Sequence, residues 1–81
     1  MDAARRAEQI TAELAQELRI RRESLGLSMN EVATRAGLAV SFIGYLETGQ
    51  RKPGVETLCR IAVAFGCEAS DLLKAAESRN G

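Results

Sequence analysis

Glycine residues punctuate this 81-residue chain at intervals that suit short α-helices. Four of them follow segments in which apolar side chains recur every three or four residues: Gly26, Gly37, Gly49 and Gly66. Glycine commonly ends a helix because it adopts the left-handed backbone conformation beyond the last turn without a steric cost. The pattern therefore favours helices over strands, and the abundance of Leu and Ala agrees with that choice.

The periodic segments predict five helices and no strand, so the expected fold class is all-α. They are Asp2–Leu25, Met29–Ala36, Val40–Thr48, Val55–Phe65 and a short last helix around Leu72–Leu73. Ser28 and Glu31 form a capping box at the start of the second, because hydroxyl and carboxylate can each bond the other residue's amide. We expect a flexible segment over residues 1–7, one domain over 8–76 and a flexible tail over 77–81.

Composition excludes several classes of function. The 11 basic and 11 acidic residues cancel, so DNA binding would require local clustering of the positive charges. Two cysteines without any histidine cannot complete a zinc site, and helical spacing places Cys59 among apolar residues as a small hydrophobe. With no histidine base and no phosphate-binding glycine loop, we expect no enzyme, cofactor, metal or small-molecule ligand. The chain also shows no membrane-spanning apolar run, which predicts a cytoplasmic protein, nucleoid-associated when bound to DNA.

Two short helices joined by a turn at Gly37 have the form of a helix-turn-helix. From Leu14 to Leu73 the chain resembles the phage Cro and repressor family, often called Xre-like. The matching residues are Leu18-Arg19, Arg22-Glu23, Gly26-Leu27-Ser28, Glu31-Val32-Ala33, Gly37, Ile43, Leu46-Glu47, Gly49, Pro53, Thr57-Leu58, Ile61-Ala62, Phe65-Gly66 and Asp71-Leu72. The resemblance implies a compact five-helix domain of the lambda-repressor-like type.

The resemblance also implies that Val40–Thr48 is the recognition helix, which enters the major groove of double-stranded DNA. Ile43 and Leu46 would then face the core, whereas Phe42 could pack inward or lie against a sugar-phosphate strand. The implied base-reading residues are Val40, Ser41, Gly44 and Tyr45. The implied phosphate contacts are Ser28, Thr48, Gln50, Arg51 and Lys52.

The predicted reading surface departs from the family pattern. Members of the family more often carry Gln, Arg or Lys where this chain has Val40 and Tyr45, so bidentate base contacts are absent there. Ser41, the Tyr45 hydroxyl and Val40 against a thymine methyl remain. Ala39 also replaces the usual Ser or Thr cap. Either recognition relies on apolar contacts, backbone contacts and DNA shape, or the surface has drifted toward a protein partner.

Two further expectations follow from the resemblance. Arg22 and Glu47 match positions where an ion pair ties the first helix to the recognition helix. The family generally binds palindromic operators as a homodimer, and the candidates for the dimer surface are Cys67, Ala69, Leu72, Leu73 and Ala76. These side chains could instead pack in the core, which is the expectation that we favour for Leu72. The predicted function is a sequence-specific transcription regulator, either repressor or activator. The alternative is an antitoxin-type or protein-interaction module on the same fold.

Overall fold

The computed structural model describes residues 2–79 as five α-helices and no strand, which confirms the all-α prediction. The helices are α1 (Ala3–Ser24), α2 (Met29–Ala36), α3 (Val40–Thr48), α4 (Val55–Phe65) and α5 (Ala69–Arg79). The bounds of α2, α3 and α4 are those predicted. None of these helices combines the length and the apolar composition that crossing a membrane requires.

The first helix agrees with the prediction to within one residue at each end, whereas the last helix is longer than predicted. Asp2 caps α1, because its Oδ1 accepts a hydrogen bond of 2.8 Å from the backbone N–H of Arg5. At the other end, α5 continues through residues 77–79. Much of both segments expected to be flexible is therefore helical, while Met1, Asn80 and Gly81 lie outside the described residues. The mobility of the two ends stays a prediction.

Local contacts explain where α2 begins and ends. The Ser28 Oγ accepts a 3.0 Å hydrogen bond from the Glu31 N–H, and the Ser28 N–H donates to Glu31 Oε1 at 2.9 Å. Both bonds of the predicted capping box are thus present. At the other end, Gly37 adopts a φ of 70°, which turns the chain directly toward α3.

The core lies between all five helices and is built from aliphatic side chains. The largest completely buried ones are Leu18, Val32, Leu46, Ile61 and Leu72. Phe42 is half-buried and packs against this core, which decides its predicted alternatives in favour of the inward position. Because only one side of α3 contributes to the core, its other side is left on the surface.

The structure corrects the expected burial of Cys59 and decides between the alternatives for Leu72 and Ala76. Cys59 is exposed, because it lies on the outer side of α4 rather than among the core residues. Leu72 and Ala76 have no accessible surface, since α5 packs them inward against the core. Neither of these two residues can contribute to a dimer surface.

A buried carboxylate joins the two ends of the fold. Glu17 on α1 accepts hydrogen bonds from Arg79 Nη2 at 3.0 Å and from Arg21 Nε at 3.1 Å. Its side chain is 9% exposed, and Arg79 also lies 3.9 Å from Glu13. A buried carboxylate is tolerated when cations and hydrogen bonds satisfy it. The cluster therefore fastens the last turn of α5 to α1.

Candidate nucleic-acid interface

The helix α3 has two faces of different character. Ile43 and Leu46 are 2% and 1% exposed, whereas Val40 and Tyr45 are 44% and 47% exposed. Ser41 lies on the exposed side as well. The helical period accounts for two pairs: Ile43 and Leu46, three residues apart, share the buried side, and Ser41 and Tyr45, four apart, share the exposed side. The structure thus presents three of the four predicted base readers to solvent, and the fourth, Gly44, is half-buried.

The predicted ion pair between α1 and α3 is present and bidentate. Arg22 donates from Nε to Glu47 Oε2 at 2.6 Å and from Nη2 to Glu47 Oε1 at 3.1 Å. The remaining Nη1 donates to the Leu27 carbonyl at 2.9 Å. The hydrogen bond to Glu47 raises the pKa of Arg22, although burial acts in the opposite direction. The contact joins residues far apart in sequence, so it fixes the end of α3 against α1.

The turn between α2 and α3 has a support that the sequence did not reveal. Arg60 on α4 donates from Nη1 to the Ala36 carbonyl at 3.2 Å. A Cβ added to Gly37 would lie 3.0 Å from the same nitrogen. Arginine near a helix C-terminus stabilises the last carbonyls. No local pattern could have found this contact, because 24 residues separate the two partners.

The loop after α3 carries the main cationic candidates. Arg51 and Lys52 are both exposed, and the Arg51 N–H donates to the Tyr45 carbonyl at 3.1 Å, which holds the loop close to α3. Glu47, the carboxylate at this end of α3, is engaged by Arg22. Positive charge can therefore cluster beside α3 in a chain whose net charge is zero.

The uncharged residues predicted to contact phosphates differ in whether their polar groups are already engaged in other hydrogen bonds. Gln50 is exposed. The Ser28 Oγ accepts the capping hydrogen bond, which leaves its own proton to donate. The Thr48 hydroxyl donates to the Tyr45 carbonyl at 3.3 Å, so it would have to rotate before meeting a phosphate oxygen.

Arginines on α1 divide between two sides of the molecule. Arg21 is engaged by Glu17 on the side that packs against α5. Arg19, which was not among the predicted site residues, lines a groove together with Gly44 and Thr48. Helical spacing separates Arg19 from Arg21, but only the packing of α1 shows which side faces α3.

Comparison with known proteins agrees with this geometry. A family model described as helix-turn-helix matches residues 18–72. The HTH-type transcriptional regulator DdrOP3 of Deinococcus deserti is 34% identical over 64 residues, which cover 79% of this chain and 50% of that protein. The uncharacterized HTH-type transcriptional regulator y4dJ of Sinorhizobium fredii is 40% identical over 55 residues, covering 68% of this chain and 70% of the relative. The match thus spans half the length of the Deinococcus protein.

Solved structures give the same result for the fold. The restriction-modification controller protein C.AhdI from Aeromonas hydrophila superimposes with a TM-score of 0.74 at 32% identity, covering 76% of this chain and 94% of that one. The clp gene regulator ClgR from C. glutamicum gives a TM-score of 0.81 over 89% of this chain and 94% of its own. At 24% identity, ClgR supports the fold alone. The helix arrangement and the matched family model together show that this chain belongs to the Xre-like helix-turn-helix family of transcriptional regulators.

Proposed function

We propose that this protein is a sequence-specific DNA-binding regulator, a repressor or an activator, and that α3 enters the major groove. One observation carries the proposal. The exposed face of α3 displays Val40, Ser41 and Tyr45, while its rear is fixed by buried apolar contacts and by the Arg22–Glu47 ion pair. A rigidly held helix with a free outer face is the arrangement that base reading in the groove requires.

Base reading on this surface relies on few polar groups. The Val40 methyls suit a thymine methyl, and the hydroxyls of Ser41 and Tyr45 can donate to or accept from base edges. Gly44 contributes no side chain and acts only by allowing approach. Because no long amide or guanidinium side chain stands on this face, the shape of the DNA carries much of the specificity.

The phosphate contacts come from both ends of the motif. Arg51 and Lys52 supply the charge, with Gln50, Ser28 and a rotated Thr48 as neutral donors. Each phosphate that a cation neutralises releases counterions and makes binding more dependent on salt. A cytoplasmic protein that meets the nucleoid when bound to DNA fits this role.

A homodimer on a palindromic operator completes the proposal, with recognition helices ~34 Å apart. Of the predicted dimer residues, Cys67 and Ala69 are half-buried and Leu73 is exposed, so these three remain candidates. Exposed apolar side chains on α4 support a second copy as partner, since Val55 and Val63 are 82% and 75% exposed.

The dimer can be tested by charging its proposed surface. Val63→Glu and Leu73→Glu should shift sedimentation toward the monomer and weaken operator binding, because a carboxylate resists burial in an apolar interface. Far-UV circular dichroism should stay unchanged. A wild type that sediments as a monomer at the concentrations used for DNA binding would rule out the dimer.

The DNA-binding face can be tested by titrating DNA from immediately upstream of the coding region at about 50 and about 200 mM salt. Arg51→Ala/Lys52→Ala should lower the slope of log affinity against log salt by about two, because two phosphate contacts are lost. Lys52→Ala can be matched with Lys74→Ala, which removes an exposed lysine on α5 instead. Equal slopes for wild type and double variant would show that the phosphate face is misplaced.

Tyr45 offers a separate test of base reading. Tyr45→Ala should weaken operator binding more than binding to random DNA, and Tyr45→Phe isolates the share of the hydroxyl. Equal losses on both DNAs would remove Tyr45 from the base-reading residues.

The alternative function is an antitoxin-type or protein-interaction module. The apolar exposed side chains Val40 and Tyr45 are the observation that favours it, since they would also suit a protein partner. A wild type without salt-dependent DNA binding would support this alternative.

A further inference from the structure

Gly44 occupies the middle of α3 although the fold does not require a glycine there. Among the described residues, the glycines with positive φ are Gly26, Gly37, Gly49 and Gly66, so Gly44 has no backbone need for glycine. A Cβ added to Gly44 would meet only Met29 Sδ, at an ordinary contact distance of 3.9 Å. Because glycine weakens a helix interior relative to alanine, stability alone would favour alanine here.

A groove lies beside Gly44, between α1, the start of α2 and α3. The groove has a volume of about 320 Å³, and it is lined by Met29, Gly44, Thr48 and the two ion pairs Arg19–Glu23 and Arg22–Glu47. Gly44 and Thr48 continue the line of Val40 along α3, since the three are spaced four residues apart. The groove is therefore continuous with the exposed face of α3.

Arg19 gives this groove an available cation. Its side chain is 63% exposed, and its contact with the 53% exposed Glu23 is 3.5 Å long. Such an exposed pair contributes little and can be exchanged for another anion. Arg22, the other arginine in the lining, is held by Glu47 and by the Leu27 carbonyl. Of the two arginines, Arg19 is thus the one whose weak exposed partner an incoming phosphate can displace.

We propose that the groove over Gly44 admits a sugar-phosphate strand of the bound DNA and that Arg19 pairs with one of its phosphates. The inference rests on the proposed DNA-binding function and names how closely α3 approaches its ligand. Val40 and Ser41 are short, so they reach base edges only if the backbone of α3 lies near the DNA. Glycine permits that approach because no Cβ intervenes. A glycine that lowers helix stability is expected at a position where binding requires space for the ligand.

Two variants test the two parts of the proposal on the full chain with the same upstream DNA. Gly44→Ala should raise the melting temperature by about 4–8 °C, because a helix interior gains from alanine. It should also weaken DNA binding about tenfold at fixed salt, since the added methyl holds the strand away. Arg19→Gln should lower the salt slope by about one, as expected for one lost phosphate contact.

Lys74→Gln is the matched control, since it removes one exposed positive charge from α5 and should leave the slope unchanged. If wild type binds with salt dependence but Gly44→Ala binds equally well, the groove proposal is overturned and the proposed function stands. A lower melting temperature for Gly44→Ala would also overturn it, because the fold would then need glycine. If Arg19→Gln has the same salt slope as wild type, Arg19 does not pair with a phosphate. If wild type itself shows no salt-dependent binding, the proposed function fails first.

Discussion

The two helices of the motif are neighbours in sequence but are stabilised differently. Both helices end at a left-handed glycine, Gly37 or Gly49, but α2 also has a capping box at its start and has Glu31 and Arg35 placed to favour the helix dipole. Helix α3 has no side-chain cap at Ala39, no acidic residue in its first turn and no basic residue in its last. Local contacts thus stabilise both ends of α2, whereas the start of α3 lacks them and α3 depends more on contacts with the rest of the molecule.

This difference is consistent with the proposal that α3 enters the major groove. The helix proposed to contact DNA keeps its first N–H groups free of any side-chain cap, and such groups bind phosphate oxygens well. Contacts with other helices compensate for the missing cap: Ile43 and Leu46 of α3 are buried in the core, and Glu47 pairs with Arg22 of α1. A reading surface can therefore be locally weak while the fold holds it rigidly.

The largest effect is expected where α3 is held to α1. Arg22→Ala should lower the free energy of unfolding by about 3–5 kcal/mol, because it leaves the Glu47 carboxylate buried without its partner. Urea denaturation measures the loss. Arg19→Ala is the matched control one turn earlier on α1; its exposed pair with Glu23 should cost less than about 1 kcal/mol.

The double variant Arg22→Met/Glu47→Leu sharpens this prediction. Replacing both charges by apolar side chains removes the unpaired carboxylate, so most of the lost stability should return. If the double variant were as unstable as Arg22→Ala, the loss would come from packing rather than from an uncompensated charge.

A smaller effect is expected at the local cap of α2. Ser28→Ala removes the acceptor for the Glu31 N–H and should lower the free energy of unfolding by about 1 kcal/mol. The shift of the thermal midpoint measures it, and Ser24→Ala near the exposed end of α1 serves as a serine control. An unchanged midpoint would mean that water replaces the cap at no cost.

The reverse substitution applies to α3. The backbone at Ala39 is already extended, with φ −71° and ψ 141°, so a serine there can accept from the first turn without rearrangement. Ala39→Ser should raise the free energy of unfolding by about 0.5–1 kcal/mol in the same thermal assay. A loss of stability would show that α3 does not accept the cap that α2 uses.

The smallest expected effect is on the stability of the fold at acidic pH. The Ser28 backbone N–H, and then its hydroxyl, hold the pKa of Glu31 below its ordinary value of 4.5. A lowered folded pKa means that the carboxylate stabilises the fold above that ordinary value, and that this contribution is lost as the pH falls through the lowered one. Glu31→Gln should flatten the stability profile in this acidic range. An identical profile for the variant would assign the pH dependence to other carboxylates.

The local signals in the sequence were sufficient to predict the inner helices. The bounds of α2, α3 and α4 depend on caps and glycines that act within about one turn, and the structure confirms all three. The opposite faces of α3 also follow in part from its sequence, because the helical period places Ser41 and Tyr45 on the side opposite Ile43, from which each is two residues away. Only the last helix was predicted too short, and the flexibility of the two ends stays a prediction.

Contacts between distant residues could be determined only by the tertiary structure. No local pattern pairs Glu17 with Arg79, which are 62 residues apart, or places Arg60 on the carboxyl end of α2. Burial of Leu72 and Ala76 likewise depends on where α5 lands. Helix boundaries arise from neighbours along the chain, whereas burial and ion pairing arise from helices that meet only after folding. The sequence alone therefore determined which segments are helices, and the packing decided which of their side chains are buried and which remain exposed.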